Sequence, residues 1–163
     1  MNGEQLQRIV AEVVSRLQRR AESTITLSVA QLREASSRAL FCQHSALHIL
    51  QADLPLLEQI AEHNTVDEAA VMIHQALAFG LHVQLSLQRR LLPAVPVKKL
   101  ARLPLVLRDE QGQRVLLHPG RLVSYADVAP LPEGLLVLHR KCVVTALARE
   151  AASSRNIQFI KQE

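Results

Sequence analysis

The stretch Thr65-Val-Asp-Glu-Ala-Ala-Val-Met-Ile-His-Gln-Ala-Leu-Ala-Phe-Gly-Leu-His-Val-Gln-Leu-Ser-Leu87 decides the fold class. Its first half is a helix, opened by Thr65 and Glu68 in capping-box spacing and running to Ala78 or Phe79. Gly80 stands where a helix end calls for a left-handed residue. There the period changes. Leu81, Val83, Leu85 and Leu87 alternate with His82, Gln84 and Ser86, which reads as a strand with one wet face or as a sheet edge. A helix delivered into a strand across one glycine is the repeating step of a layered α/β fold.

The same grammar extends in both directions. Upstream, Asp53 caps a helix holding Leu56, Leu57 and Ile60, with Pro55 in its first turn. Ala46–Leu50 is an apolar run of strand length. Ser28 with Gln31 makes another capping box, opening a short helix after strand Ile25–Leu27. Downstream, Pro93 and Pro96 interrupt the chain before a short helix around 97–103. Leu105–Leu107 and Val115–Leu117 flank Asp109-Glu110-Gln111-Gly112, a hairpin in which Gly112 supplies the positive-φ position. Ser124 caps a helical turn with Tyr125 and Val128. Gly134 leads into strand Leu135–Leu138, Thr145 caps a helix over 146–153, and Ile157–Phe159 is the last strand. The sum predicts a layered α/β fold with a partly parallel sheet and one antiparallel hairpin. Aromatic residues are 2% of the chain, so the core is built from Leu, Val, Ile and Ala.

Residues 1–22 stand apart as an N-terminal amphipathic helix, leaving 23–163 as a single α/β domain. Asn2 caps, and Leu6, Ile9, Val10, Val13, Val14 and Leu17 follow at offsets 0, 3, 4, 7, 8 and 11. That is one unbroken helical stripe. Glu4–Arg8 and Glu12–Arg16 are spaced for ion pairs, and Arg19 and Arg20 suit the negative end of the helix dipole. Two readings fit: a first helix packed on its own domain, or a helix that docks its stripe in a partner's groove. Glu4, Glu12 and the lack of Trp or Phe on the stripe weigh against a membrane-surface helix.

Chemistry has little to stand on. The five glycines are scattered, so no phosphate-cradling loop exists. Cys42, His44, His48, His139 and Cys142 lack the spacing of a zinc set. Cys142 beside His139 and Lys141 is the one imaginable thiolate pair, but a buried cysteine on a strand entering the last helix explains it far better. Asp67 and Glu68 at a helix start, and Asp109 and Glu110 in a turn, already have structural work. The net charge of +4 is spread over separate Arg and Lys groups and the rings needed to stack bases are few, which argues against nucleic acid. No run approaches the roughly 20 apolar residues that span a bilayer. The expectation is a soluble cytosolic protein with reduced, buried cysteines, a Cys42–Cys142 disulfide being the alternative.

Several strings resemble a family of structural components of propanediol-utilization bacterial microcompartments. They are Leu6-Gln-Arg-Ile-Val-Ala-Glu-Val-Val-Ser-Arg-Leu-Gln-Arg-Arg20, Leu27-Ser-Val-Ala-Gln-Leu-Arg-Glu34, Gln51-Ala-Asp-Leu-Pro-Leu-Leu-Glu58, Lys99-Leu-Ala-Arg-Leu-Pro104 and Val144-Thr-Ala-Leu-Ala-Arg149. The resemblance implies a non-enzymatic assembly role inside the microcompartment, contact with shell or core proteins, and no catalytic residue, metal or cofactor to carry over. The N-terminal helix is also similar to the terminal helices that address cargo to such compartments, which favours the docking reading. Leu54–Ile60 and Ala76–Val83 resemble the middle of flavoprotein-like Rossmann subunits, which implies a Rossmann/flavoprotein-like layered α/β fold behind the N-terminal amphipathic helix and leaves a flavin- or nucleotide-binding accessory protein as the alternative function.

Overall fold

The computed structural model describes residues 2–62 and 66–163. Helix α1 (Gly3–Ala21) is followed by strand β1 (Thr24–Ser28), helices α2 (Val29–Glu34) and α3 (Ser37–Gln43), and β2 (Ala46–Leu50). Next come α4 (Leu54–Glu62), α5 (Glu68–Ala78), β3 (His82–Ser86), a 3-10 turn (Arg89–Ala94), α6 (Val97–Leu100), β4 (Leu105–Arg108) and β5 (Arg114–His118). The chain ends with β6 (Leu122–Val123), α7 (Tyr125–Val128), β7 (Gly134–Leu138), β8 (Val143–Val144), α8 (Ala146–Ser154) and β9 (Ile157–Lys161).

Local chemistry sets the boundaries. Ser28 and Gln31 form the expected reciprocal box at α2. Asp53 accepts from the Leu56 N–H at α4, at 3.0 Å. The capping role expected of Thr65 lies outside the described residues; Asp67 caps α5, accepting from the Ala69 N–H at 2.8 Å. Gly80, at φ +88°, closes α5 as the Leu81 N–H reaches back to the Ala76 carbonyl.

Seven strands form a sheet in the order β1-β2-β3-β4-β5-β7-β9. β1 to β4 are mutually parallel, and so are β5, β7 and β9. The two blocks meet at one antiparallel hairpin, with Leu107 opposite Val115 and Arg108 opposite Arg114. β3 lies third in this order, so the wet-face reading of its alternation holds and the edge reading does not. β6 and β8 make a separate two-stranded parallel sheet.

The strands follow one another across the sheet in chain order. Right-handed crossovers then keep the helices of the first block on one face. Reversing strand direction at the hairpin sends the later helices to the other face. The cores confirm this. One core joins α2 to α6 to Leu47, Ile49, Val83, Leu85, Leu107 and Val115. The second joins α7, α8 and the small sheet to Leu136, Leu138 and Ile157. Gln162 pins the 3-10 turn over the sheet's far end, its Nε2 donating to the carbonyls of Leu92 and Val95 at 3.0 and 2.8 Å. β7 is thus buried on both faces along its whole length. The second face of β1–β3, with Thr24, Thr26, His48, His82 and Gln84, is partly exposed.

Candidate interaction helix

α1 forms for local reasons. The Asn2 side chain accepts from the Gln5 N–H at 2.9 Å, Glu12 pairs with Arg16 at 2.6 Å, and Arg19 and Arg20 occupy the last turn. Its 19 residues make a rod of about 28 Å. Among the described residues, its hydrogen bonds to the domain lie at its C-terminal end. There Arg20 Nε donates to the Phe41 carbonyl at 2.8 Å, and Ser45 Oγ donates to the Ala21 carbonyl at 3.0 Å.

The stripe faces no core of its own chain. No residue of α1 is buried, and Leu6, Ile9, Val10, Val13, Val14 and Leu17 are each between 45% and 59% exposed. The helix packed on its own domain, open on sequence grounds, is not what this chain adopts. Arg20 was read from sequence only as a dipole partner. Its long-range bond to Phe41, 21 positions away, carried no local signal.

The other chemical candidates resolve into structural roles. Cys142 is buried in the second core, where desolvation pushes its thiol above the ordinary value, the reverse of an activated nucleophile. Cys42 is exposed, which corrects the expectation that both cysteines are buried; it sits at the outer side of α3 behind Leu40 and Phe41. Both thiols are free. His44 Nδ1 bonds Ser23 Oγ at 2.6 Å and His48 Nε2 bonds Ser86 Oγ at 2.7 Å. Among the described residues, no three His, Cys, Asp or Glu side chains gather as metal ligands. Asp67 takes two bonds from Arg33, at 3.1 and 2.9 Å; that guanidinium chiefly holds its carboxyl below the usual range. Asp109 is buried in the hairpin turn, its Oδ1 accepting from the N–H groups of Gln111 and Gln113. Among the described residues, no helix is long and apolar enough to cross a membrane.

A second apolar surface escaped the sequence reading. Leu122 and Val143 are paired directly across β6 and β8, and Tyr125 and Leu147 open the helices those strands feed. All four are more than half exposed. Strands of two residues are too short for any periodicity, so nothing in the sequence marked this patch.

Comparison with known proteins places the chain. The family described as putative propanediol utilisation matches residues 8–158. The chain is 64% identical to the bacterial microcompartment assembly protein PduM of Citrobacter freundii, over the full length of both. It is 65% identical, again over the full length of both, to the protein of that name from Salmonella typhimurium (strain LT2). No solved structure matches it. The family match spans nearly the whole chain, from inside α1 to the start of β9, and the chain belongs to the putative propanediol utilisation family.

Proposed function

We propose that this chain is a non-enzymatic assembly protein of a propanediol-utilization bacterial microcompartment, acting by binding shell or core proteins. The observation that carries the reading is α1: a complete apolar stripe on a rod tethered at one end only. Residues 1–22 serve as the binding arm and 23–163 as one α/β domain that carries it. The relatives named as assembly proteins supply the setting.

The partner is a protein with an apolar groove wide enough for one helix. Covering the stripe removes about 400–600 Å² of apolar surface, worth roughly 10 kcal/mol before the costs of association. Surface of that size suits a reversible contact within a crowded assembly. The Rossmann- or flavoprotein-like reading of the fold rests on the β2-to-β4 units, where helices pass between parallel strands. A doubly wound sheet binds its cofactor where strand order reverses. Here the order never reverses, and the glycines are dispersed, so the flavin or nucleotide alternative lacks its usual seat.

The test is a crosslinking pull-down from intact compartments with the Val10→Glu, Val13→Glu double variant. Charges in the stripe abolish the crosslinks of the intact protein while its domain stays folded. Unchanged crosslinks would overturn the assignment of α1 as the binding element.

A further inference from the structure

Arg108 and Arg114 stand directly opposite each other across the β4–β5 hairpin, so both side chains leave the same face of the sheet. Like charges in that relation repel, and sheets ordinarily place an acid between them. Among the described residues, neither arginine takes part in a salt bridge. Arg108 spends one donor on the Gly112 carbonyl, from Nη1 at 2.9 Å. Among the described residues, the remaining donors of the pair have no acceptor.

These arginines wall an open-mouthed cavity of about 440 Å³ with Gln111, Gln113, Glu133 and Asn156. Among the described residues, the side-chain amides of Gln111, Gln113 and Asn156 also have no hydrogen-bond partner. Gly134 also lines the cavity, next to Arg114. Its backbone, at φ +149°, lies so close that an added Cβ would sit 2.3 Å from the Arg114 carbonyl oxygen. The cavity lies where the two parallel blocks meet, at the carboxyl end of β4 and the amino ends of β5, β7 and β9.

We infer that this cavity is a binding site for an oxyanion, a phosphate or carboxylate group of a small molecule, held by Arg108 and Arg114. Two guanidiniums offer forked donors to such oxygens, and the three amides supply neutral donors around them. Glu133 offsets one of the two positive charges and limits how tightly a dianion is held. The site is separate from α1 and stands whether or not α1 binds a partner.

The experiment is an amide and arginine side-chain NMR titration of the full chain with inorganic phosphate and, separately, with succinate. Sodium chloride at matched ionic strength serves as the control. The expected result is saturable shifts confined to residues 108–114, 132–134 and 156. Arg108→Gln and Arg114→Gln each weaken binding about tenfold, the equivalent of about 1.4 kcal/mol. Glu133→Gln tightens it. Saturation by phosphate alone identifies a phosphate ester as the ligand class, and saturation by succinate alone identifies a carboxylate. The arginine variants must keep the remaining amide spectrum, so lost binding is not lost folding. Shifts that grow linearly with salt, or that spread equally over Arg89, Arg102 and Arg121, would overturn the site. So would variants that bind as the parent does.

Discussion

Leu136 and Val137 are neighbours in β7, yet each is packed into a different core. Leu136 faces α7 and α8, whereas Val137 faces the core shared with α2 to α6. One strand therefore ties the two halves of the molecule together. Leu136→Ala costs about 2–5 kcal/mol, as does Ile73→Ala in the first core. Both variants unfold in one transition in urea, with fluorescence of Tyr125 coinciding with far-UV circular dichroism. Two separated transitions would mean that the cores are independent.

The stripe of α1 behaves differently because it is not core. Leu6→Ala, Val10→Ala and Leu17→Ala each change the stability of the isolated chain by no more than about 0.5 kcal/mol. Urea denaturation measures this directly. A loss of the size found at Leu136 would show that α1 packs on its own domain.

Two glycines of positive φ differ in what surrounds them. An added Cβ at Gly112, φ +80°, meets nothing, whereas at Gly134 it meets the Arg114 carbonyl. Gly112→Ala costs about 1–2 kcal/mol for the left-handed backbone alone. Gly134→Ala costs more, because the backbone of β5 or β7 must also shift to relieve the contact with the Arg114 carbonyl. Comparing the two midpoints in urea checks the order.

Asp67 ties α5 to α2 through Arg33 and caps its own helix. Its carboxyl titrates below the usual range, so it stabilises the fold as an anion. That contribution is complete above the unfolded carboxylate value, about pH 4, and fades as pH falls through the depressed folded value. Asp67→Ala costs about 1 kcal/mol at pH 7, the ordinary worth of an N-cap, and the difference from the parent shrinks as pH drops below 4. A pH-independent difference would mean that charge plays no part.

The two thiols separate by exposure. Cys42 reacts with a thiol reagent in the native protein, and Cys142 reacts only once the protein unfolds. Reaction of both at the same native rate would contradict the placement of Cys142 in the second core.

Most of the element list was legible because its signals are local. The Ser28–Gln31 box, the Gly80 helix end and the hairpin around Gly112 each sit within a few residues of sequence. Helix α3 went unread: Ser36 caps it, but only Leu40 and Phe41 of its seven residues are buried, too few to show a period. The allotment of Leu136 and Val137 to different cores depends on crossover handedness around a reversed strand block, which no local pattern encodes. The apolar stripe was plain in the sequence. Whether it was covered was not, since periodicity reports an apolar face and not what that face meets. The Arg108–Arg114 pairing was hidden for a related reason, because hairpin register brings together residues whose separate spacings carry no signal.

The central claim is that α1 is a docking arm on an independently folded domain. The most direct measurement is co-purification of a chain lacking residues 1–20 with microcompartments, after its folding is established by cooperative urea unfolding. The account predicts a folded domain, as stable as the full chain to within about 1 kcal/mol, that no longer travels with the compartments. A truncated chain that unfolds, or one that still co-purifies at the level of the full-length protein, would contradict it.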